Sequence, residues 1–481
     1  MSAPIIFGTD GWRAVIAETF TFDNVRLVSD AIAVAARTLH PPDGVDRNAL
    51  TVGFDRRFLS REFAQAVAES LRSAGYRIVL SDRATPSQTI SFTARHRRLL
   101  GGVMVTASHN PAKYNGLKFK AWYGGSALPE MYDAIASSLG NREAREGGAI
   151  TEENILDDYI DAVRAQLDGQ HSLRILHDPI HGASSGIPSR VLQCGDRCLS
   201  GRGAAEGSGT HTSETTIDTI RGEVNPSFGG VNPEPIPENL GAARDAMRAG
   251  NYDLAICNDG DADRLGILDD HGDFVSPHKI ISLLALYLVR EKKRAGEIVK
   301  TFSTSRLVEK VARTLGATLH ETAIGFKYVA DLMLARDVLV GGEESGGIGF
   351  GRFMPERDGI LSGLLVAEAV AHYGKPLSRV IEEMEAELGA LHYDRRDVHR
   401  PMEQCARLIE RVRSGALDDH FGVPLANREE KDGVKMNFID GGWLLFRKSG
   451  TEPIIRIYCE SPDAARVQAM LDRAVAELDA A

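Results

Sequence analysis

Four short stretches of this 481-residue chain hold residue types that could do chemistry. The first is Thr106-Ala-Ser-His-Asn-Pro, running on to Lys118. It sets one hydroxyl (Ser108) among an imidazole (His109), an amide (Asn110) and an ammonium (Lys118). That mix suits a nucleophile surrounded by groups that hold anionic oxygen, although an ordinary turn satisfying its own backbone would read the same way. It is not the Gly-x-Ser-x-Gly elbow, which argues against serine hydrolysis. The second is Asp259-Gly-Asp-Ala-Asp-Arg264. Its carboxylates at i, i+2 and i+4 project to one side of an extended chain. Alone they would repel one another; a hard divalent cation relieves this, and oxygen-only ligands point to Mg²⁺. An EF-hand loop shares the spacing but needs Gly where Arg264 stands. A solvated acidic turn is one competing reading, and Asp259 as the phosphoryl acceptor is another.

The third stretch, Gly341-Gly-Glu-Glu-Ser-Gly-Gly347, carries acids and a hydroxyl on a Gly-rich turn. Glu343 and Glu344 would repel an anion, so sugar hydroxyls suit it better than phosphate. The fourth, Arg447-Lys-Ser-Gly-Thr-Glu-Pro453, concentrates two cations, two hydroxyls and a Gly-opened backbone, a phosphate-binding mix. Three lesser candidates accompany them. Arg13 closes the turn Phe7-Gly-Thr-Asp-Gly-Trp-Arg13 and could reach a phosphate. Lys327 opens a helix, and Lys300 lies on a strand. No Walker A pattern occurs, which argues against nucleotide-driven transfer.

Periodicity supplies the elements that must position these loops. The apolar run Leu99 to Val105 predicts a buried strand, with Ser108 on a sharp turn beyond its end. Asp253 to Cys257 predicts another, running directly into the acidic motif, and Val338 to Val340 a third, before the Gly-rich turn. Helices are predicted over Asn24–Leu39, Glu62–Ala74, Pro129–Leu139, Glu153–Gln166, Pro235–Arg248, Lys279–Arg290 and Phe326–Arg336. Only a turn, Thr85-Pro-Ser, is read between residues 81 and 98. Strands alternating with helices imply mostly parallel sheets with helices on both faces. Polar, Gly-bounded Gly140–Gly148 reads as a linker. The boundaries expected are residues 1–148, 149–270, 271–388 and 389–481. The Gly/Ser/Thr-rich tract from Ser200 to Asp218 has no apolar periodicity and reads as a mobile loop.

Composition narrows the class. With 43% hydrophobic and 26% charged residues the chain is globular and has apolar residues enough for several cores. A net charge of −11 disfavours nucleic acid and anionic membrane, so any anion site must be local. No run is long enough to span a bilayer, and the first residues lack the regions of a signal peptide. Five scattered cysteines fit a reducing cytoplasm, with Cys194 and Cys198 read as structural.

Taken in order, the four motifs resemble those of the α-D-phosphohexomutases, and the resemblance spans nearly the whole chain. It implies an α/β four-domain architecture around a central cleft, with three mixed α/β domains and a C-terminal TBP-like α+β domain. It further implies that Ser108 is the phosphoserine, and that Asp259, Asp261 and Asp263 bind one Mg²⁺ completed by a phosphoserine oxygen. Arg13, His109, Asn110, Lys118 and Arg264 would line the transfer site, with Lys118 the proton carrier and Arg13 stabilising charge. Glu343 and Ser345 would read sugar hydroxyls; Arg447, Ser449, Gly450 and Thr451 would clamp the distal phosphate, with Lys300 and Lys327 as secondary contacts. The implied reaction passes through a sugar bisphosphate, with glucose 1,6-bisphosphate as activator, in a monomer or dimer. Family members acting on mannose, glucose and glucosamine phosphates usually carry His where Gly347 stands here. Trp12, Glu343-Glu344-Ser345 and Gly325-Phe-Lys327 look more like enzymes of glucose 1-phosphate and glucose 6-phosphate. A bisphosphate synthase, a phosphatase and a non-catalytic phosphosugar-binding protein are the rival expectations.

Overall fold

A computed structural model describes residues 5–8, 10–169, 172–193, 196–198, 215–448 and 453–481. Four sheets follow one another along the chain. The first has the spatial order Phe7–Gly8, Gly11–Val15, Tyr114–Ala121, Leu99–Val105, Asp46–Phe54, Arg77–Ser81, Ala149–Glu153, with Gly125–Ser126 paired to Tyr114–Ala121. Asp46–Phe54 runs parallel to both Leu99–Val105 and Arg77–Ser81, while Tyr114–Ala121 returns antiparallel. Leu99–Val105 is buried at every position, as an unbroken apolar run in a covered sheet requires.

The second sheet is ordered Asp196–Cys198, Thr216–Thr219, Arg174–Asp178, Leu254–Asn258, Leu265–Leu268, Phe274–Val275, the first four strands parallel and the last two antiparallel. The third is Leu319–Thr322, Glu297–Thr301, Val338–Gly342, Ile348–Gly349, with parallel pairing among the first three. In the first three sheets the chemical loops leave the carboxyl ends of parallel strands, where open α/β sheets place their binding crevices. The fourth sheet is antiparallel throughout, His392–His399, Ile454–Ser461, Trp443–Lys448, Val434–Phe438, Leu425–Glu429. Helices Met402–Arg413 and Ala464–Asp479 contribute to its core.

Several expectations need correction. Gly148 does not end the first sheet, because Ala149–Glu153 pairs parallel with Arg77–Ser81; the helix expected from Glu153 therefore starts only at Leu156 and runs to Arg164. The boundary at 270 likewise falls inside a sheet, since Phe274–Val275 pairs with Leu265–Leu268. A single apolar core runs through the second and third sheets, from Tyr159 and Ile175 to Leu284, Ile298 and Leu364. Residues Ser87–His96 form a helix where only a turn was read. It is rich in Ser and Thr and buried on nearly every face, so it shows no amphipathic stripe. Of the Ser200–Asp218 tract, the part through residue 214 lies outside the described residues, and its end joins the strand Thr216–Thr219. Cys194 is outside them too; Cys257, Cys405 and Cys459 are buried free thiols.

Candidate active site

Ser108 is held in a left-handed conformation, φ 52°, three residues past the end of its strand. A non-glycine residue adopts that backbone only where its surroundings fix it, and here Arg57 does so. The Arg57 guanidinium donates to the carbonyls of Ser108 (2.5 Å), Asn110 (2.6 Å), Pro111 (2.9 Å) and Tyr114 (3.0 Å). Asp55 pairs with Arg57 at 3.2 Å and accepts from Thr106 Oγ1 at 2.7 Å, while Thr106 Oγ1 accepts the Ser108 N–H at 2.8 Å. The loop is thus wired from inside the first domain.

The acidic loop meets it face to face. Ser108 Oγ donates to Asp259 Oδ2 at 2.7 Å. Asp259, Asp261 and Asp263 are fully buried, and each offers an oxygen within 4.8 Å of the others. Helix Ser87–His96 braces this loop: the Ser87 N–H donates to the Asp261 carbonyl (2.9 Å) and Gln88 Nε2 to that of Ala262 (3.0 Å). Gly260 permits the contact, since a Cβ there would lie 2.6 Å from the Ser108 carbonyl oxygen. Lys118 Nζ reaches Asp261 (2.9 Å), Asp10 (3.1 Å) and Asp263 (3.2 Å). Arg357 Nη2 reaches Asp263 (2.7 Å) and Asp10 (3.0 Å).

Charge follows from this packing. Burial and the neighbouring Asp261 and Asp263 push the Asp259 carboxyl well above the ordinary range. Burial acts the same way on Asp261, but the Lys118 ammonium outweighs it and holds that carboxyl low. Burial opposes the Lys118 charge, yet Asp10, Asp261 and Asp263 overcome it and hold the ammonium protonated. Burial, then Arg264 and Arg13, keep the His109 imidazole neutral. Its Nε2 faces Arg264 at 3.5 Å and its Nδ1 lies 3.3 Å from Ser108 Oγ. Ser108 Oγ thus lies between the Asp259 carboxyl, to which it donates, and the His109 ring.

The remaining expected residues distribute unevenly. Arg13 donates to Asn110 at 2.6 Å. Arg264 donates its backbone N–H to Asp259 (3.1 Å) and its side chain to Glu234 (2.7 Å). Glu343 is buried, and burial pushes its carboxyl up to about 7. Ser345 is half-buried on the same turn, and Gly346 ties that turn to the acidic loop by accepting the Leu265 N–H at 3.0 Å. Arg447 pairs with Asp432 at 2.8 Å; Ser449, Gly450 and Thr451 lie outside the described residues. Lys327 opens helix Phe326–Ala335 with its ammonium over the Tyr328 ring. Lys300 departs from expectation. Its buried ammonium is committed to Glu309 (2.6 Å) and Glu321 (3.0 Å) in a separate cavity between the third and fourth sheets. Asp10, Arg57 and Arg357 were missed. The one sequence signal for Arg357 is the charged triplet Glu356-Arg357-Asp358 at the head of the largely apolar helix Gly359–Tyr373.

The residues present fit a divalent cation. Asp261 Oδ1 and Asp263 Oδ1 are buried without a hydrogen-bond partner, and the donor set is all oxygen.

Four domain families cover most of the chain: phosphoglucomutase/phosphomannomutase α/β/α domain I over residues 4–146, domain II over 201–272, domain III over 276–387 and the C-terminal domain over 399–477. This chain belongs to the phosphoglucomutase/phosphomannomutase family, the α-D-phosphohexomutases. Its reaction class is intramolecular phosphoryl transfer. A phosphoglucosamine mutase of Acidothermus cellulolyticus is 31% identical over 96% of this chain and 92% of its own. A phosphoglucomutase/phosphomannomutase of Thermococcus kodakarensis is 29% identical over 99% of both. A crystal structure from Thermus thermophilus, described as a phosphomannomutase, shares 35% identity and superposes with a TM-score of 0.83 over the whole of both chains. Among the described residues no helix is long and apolar enough to cross a membrane.

Proposed function

We propose that this phosphohexomutase interconverts glucose 1-phosphate and glucose 6-phosphate through a phosphoserine at Ser108 and a glucose 1,6-bisphosphate intermediate. The observation that carries this reading is the 2.7 Å hydrogen bond from Ser108 Oγ to Asp259, inside the trio of buried carboxylates. Asp259, Asp261 and Asp263 would hold Mg²⁺, which supplies charge neutralisation on the transferring phosphoryl group.

Each half-reaction moves one phosphoryl group and one proton in opposite directions between Ser108 Oγ and a sugar hydroxyl. When Ser108 attacks the bisphosphate, its hydroxyl proton leaves and is delivered in the exchange to the sugar oxygen that gives up the phosphoryl group; the existing hydrogen bond to Asp259 orients the hydroxyl for that attack. Lys118 enters the reaction as an ammonium. Its three carboxylate partners favour the charged form, so in this arrangement it stabilises developing phosphoryl charge and can give a proton back, and it does not open the reaction as a base. His109, a neutral imidazole 3.3 Å from Ser108 Oγ, helps keep that oxygen oriented. Arg13 and Asn110, joined at 2.6 Å, face the same transfer site. Arg447 serves as the distal phosphate contact, exchanging Asp432 for phosphate. Glucose is favoured over other hexoses by the Glu343-Glu344-Ser345 turn followed by a bare Gly347.

A substrate panel with purified enzyme and Mg²⁺ tests this, comparing glucose, mannose and glucosamine 1-phosphates primed with glucose 1,6-bisphosphate. Turnover fastest on glucose 1-phosphate, with label from the bisphosphate on Ser108, is expected. Faster turnover of another hexose phosphate would replace the substrate and leave the reaction class standing.

A further inference from the structure

Arg357 has no role in the reading above beyond its ion pairs, yet only one end of its guanidinium is used. Nη2 takes both Asp10 and Asp263. Nε is buried without a hydrogen-bond partner, and Nη1 has only Glu343 Oε2, at 4.0 Å, too far for a direct bond. Nη2 is held by two carboxylates, and the backbone on either side of Arg357 is fixed as well. Its neighbour Glu356 is pinned by Lys120 at 2.6 Å, and Asp358 caps the next helix by accepting the Leu361 N–H at 2.9 Å. Gly359 then docks on the acidic loop, donating to the Ala262 carbonyl at 3.2 Å.

Position 347 faces the same place. A Cβ there would lie 2.5 Å from Arg357 Cδ and 3.3 Å from Glu343 Oε2. The missing side chain therefore leaves room for the arginine stem and lets its donor edge stand beside the buried Glu343 carboxyl. We propose that Arg357 is a further substrate-reading residue: with Glu343 it takes one sugar hydroxyl between them, and it turns away an ammonium at that place. This rests on the phosphohexomutase reading of the site and selects within its substrates.

The geometry suits a hydroxyl. With ordinary hydrogen bonds of ~2.9 Å from Nη1 and ~2.7 Å to the carboxyl, a 4.0 Å separation sets an angle of about 90° at the hydroxyl oxygen, near its natural directions. The hydroxyl accepts from arginine and donates to glutamate, so both orphaned groups are satisfied at once. An ammonium there has only protons to offer. It could serve Glu343 but would lie against a guanidinium that Asp10 and Asp263 hold charged. A site built to hydrogen-bond a hydroxyl penalises an analogue that leaves a buried partner unpaired.

The test compares kcat/KM for glucose 1-phosphate and glucosamine 1-phosphate in the native enzyme, R357K, R357A and G347A, at limiting and at saturating Mg²⁺. Phosphoserine content after glucose 1,6-bisphosphate is read by intact mass, and Tm is recorded for each. The native enzyme should favour the hydroxyl sugar by about 100-fold or more. R357A should narrow that ratio at least tenfold, mainly through the hydroxyl sugar, with free guanidinium restoring part of the loss. G347A should narrow it by displacing the Arg357 stem, and R357K should keep part of it. Three results would overturn the proposal: equal use of the two sugars by the native enzyme; an equal loss on both sugars in R357A; or full recovery of R357A by raising Mg²⁺ alone, which would make Arg357 only a support of Asp263. Absence of turnover on every hexose phosphate, with no label on Ser108, would instead defeat the function from which the proposal starts.

Discussion

Gly260→Ala isolates the contact between the nucleophile loop and the acidic loop. The new Cβ would stand 2.6 Å from the Ser108 carbonyl oxygen, and relief to a tolerable 3.0–3.4 Å requires the loops to part by about 0.4–0.8 Å. Neither side yields easily. Ser108 is gripped by Arg57 through four neighbouring carbonyls, and the acidic loop is fixed by Gln88 and the Ser87 N–H. The Ser108 Oγ–Asp259 distance of 2.7 Å then opens to roughly 3.1–3.5 Å, the limit of a hydrogen bond. A misplacement approaching 1 Å at reacting groups costs on the order of 100-fold, so kcat should fall about 10- to 100-fold, or ~1.4–2.7 kcal/mol in barrier. Overpacking should lower stability by ~1–3 kcal/mol. The assay is phosphosugar turnover at saturating Mg²⁺ with Tm alongside, and Gly241→Ala, where an added Cβ meets nothing within 4 Å, is the control. G260A activity within threefold of native at unchanged Tm would refute the interlock.

Asp358 gives a pH prediction. Burial pushes this carboxyl from an ordinary 3.8 up to about 7. Between those values the unfolded chain has released the proton and the folded chain keeps it, so stability falls as pH rises, by up to ~4 kcal/mol in all. D358N retains an acceptor for Leu361 N–H and should flatten this fall; urea unfolding at pH 5 and pH 8 measures it. Lys118→Met leaves Asp10, Asp261 and Asp263 without their shared cation and should cost ~3–5 kcal/mol in a chelator and less with Mg²⁺ present; equal losses in both conditions would count against a cation site there. D261N with D263N should abolish Mg²⁺-dependent turnover while leaving the fold intact by circular dichroism. Ser108→Ala should take no label from ³²P-glucose 1,6-bisphosphate, and labelling of the variant at Asp259 would move the nucleophile.

What was readable in the sequence was local. Ser108 and the three aspartates follow unbroken apolar runs that could only be buried strands, so their places at strand ends followed from periodicity. What escaped was set by distance along the chain. Arg357 finds its partners 94 and 347 residues away, and no spacing rule reaches that far. Helix Ser87–His96 is covered on nearly all sides, which erases the apolar stripe that betrays a surface helix. Antiparallel strands such as Leu265–Leu268 and His392–His399 were missed because their pairing, and not their composition, defines them. Lys300 misled for the opposite reason: a lysine on a strand looks free until its carboxylates arrive from elsewhere in the fold.

The shared apolar interior of the middle two sheets has a thermal consequence. A calorimeter should register residues of both in a single heat-absorption peak, since neither can melt and leave the other's interior dry. Cutting the chain near residue 270 would give two sticky halves, whereas the C-terminal module, with an interior of its own, is the natural piece to express alone.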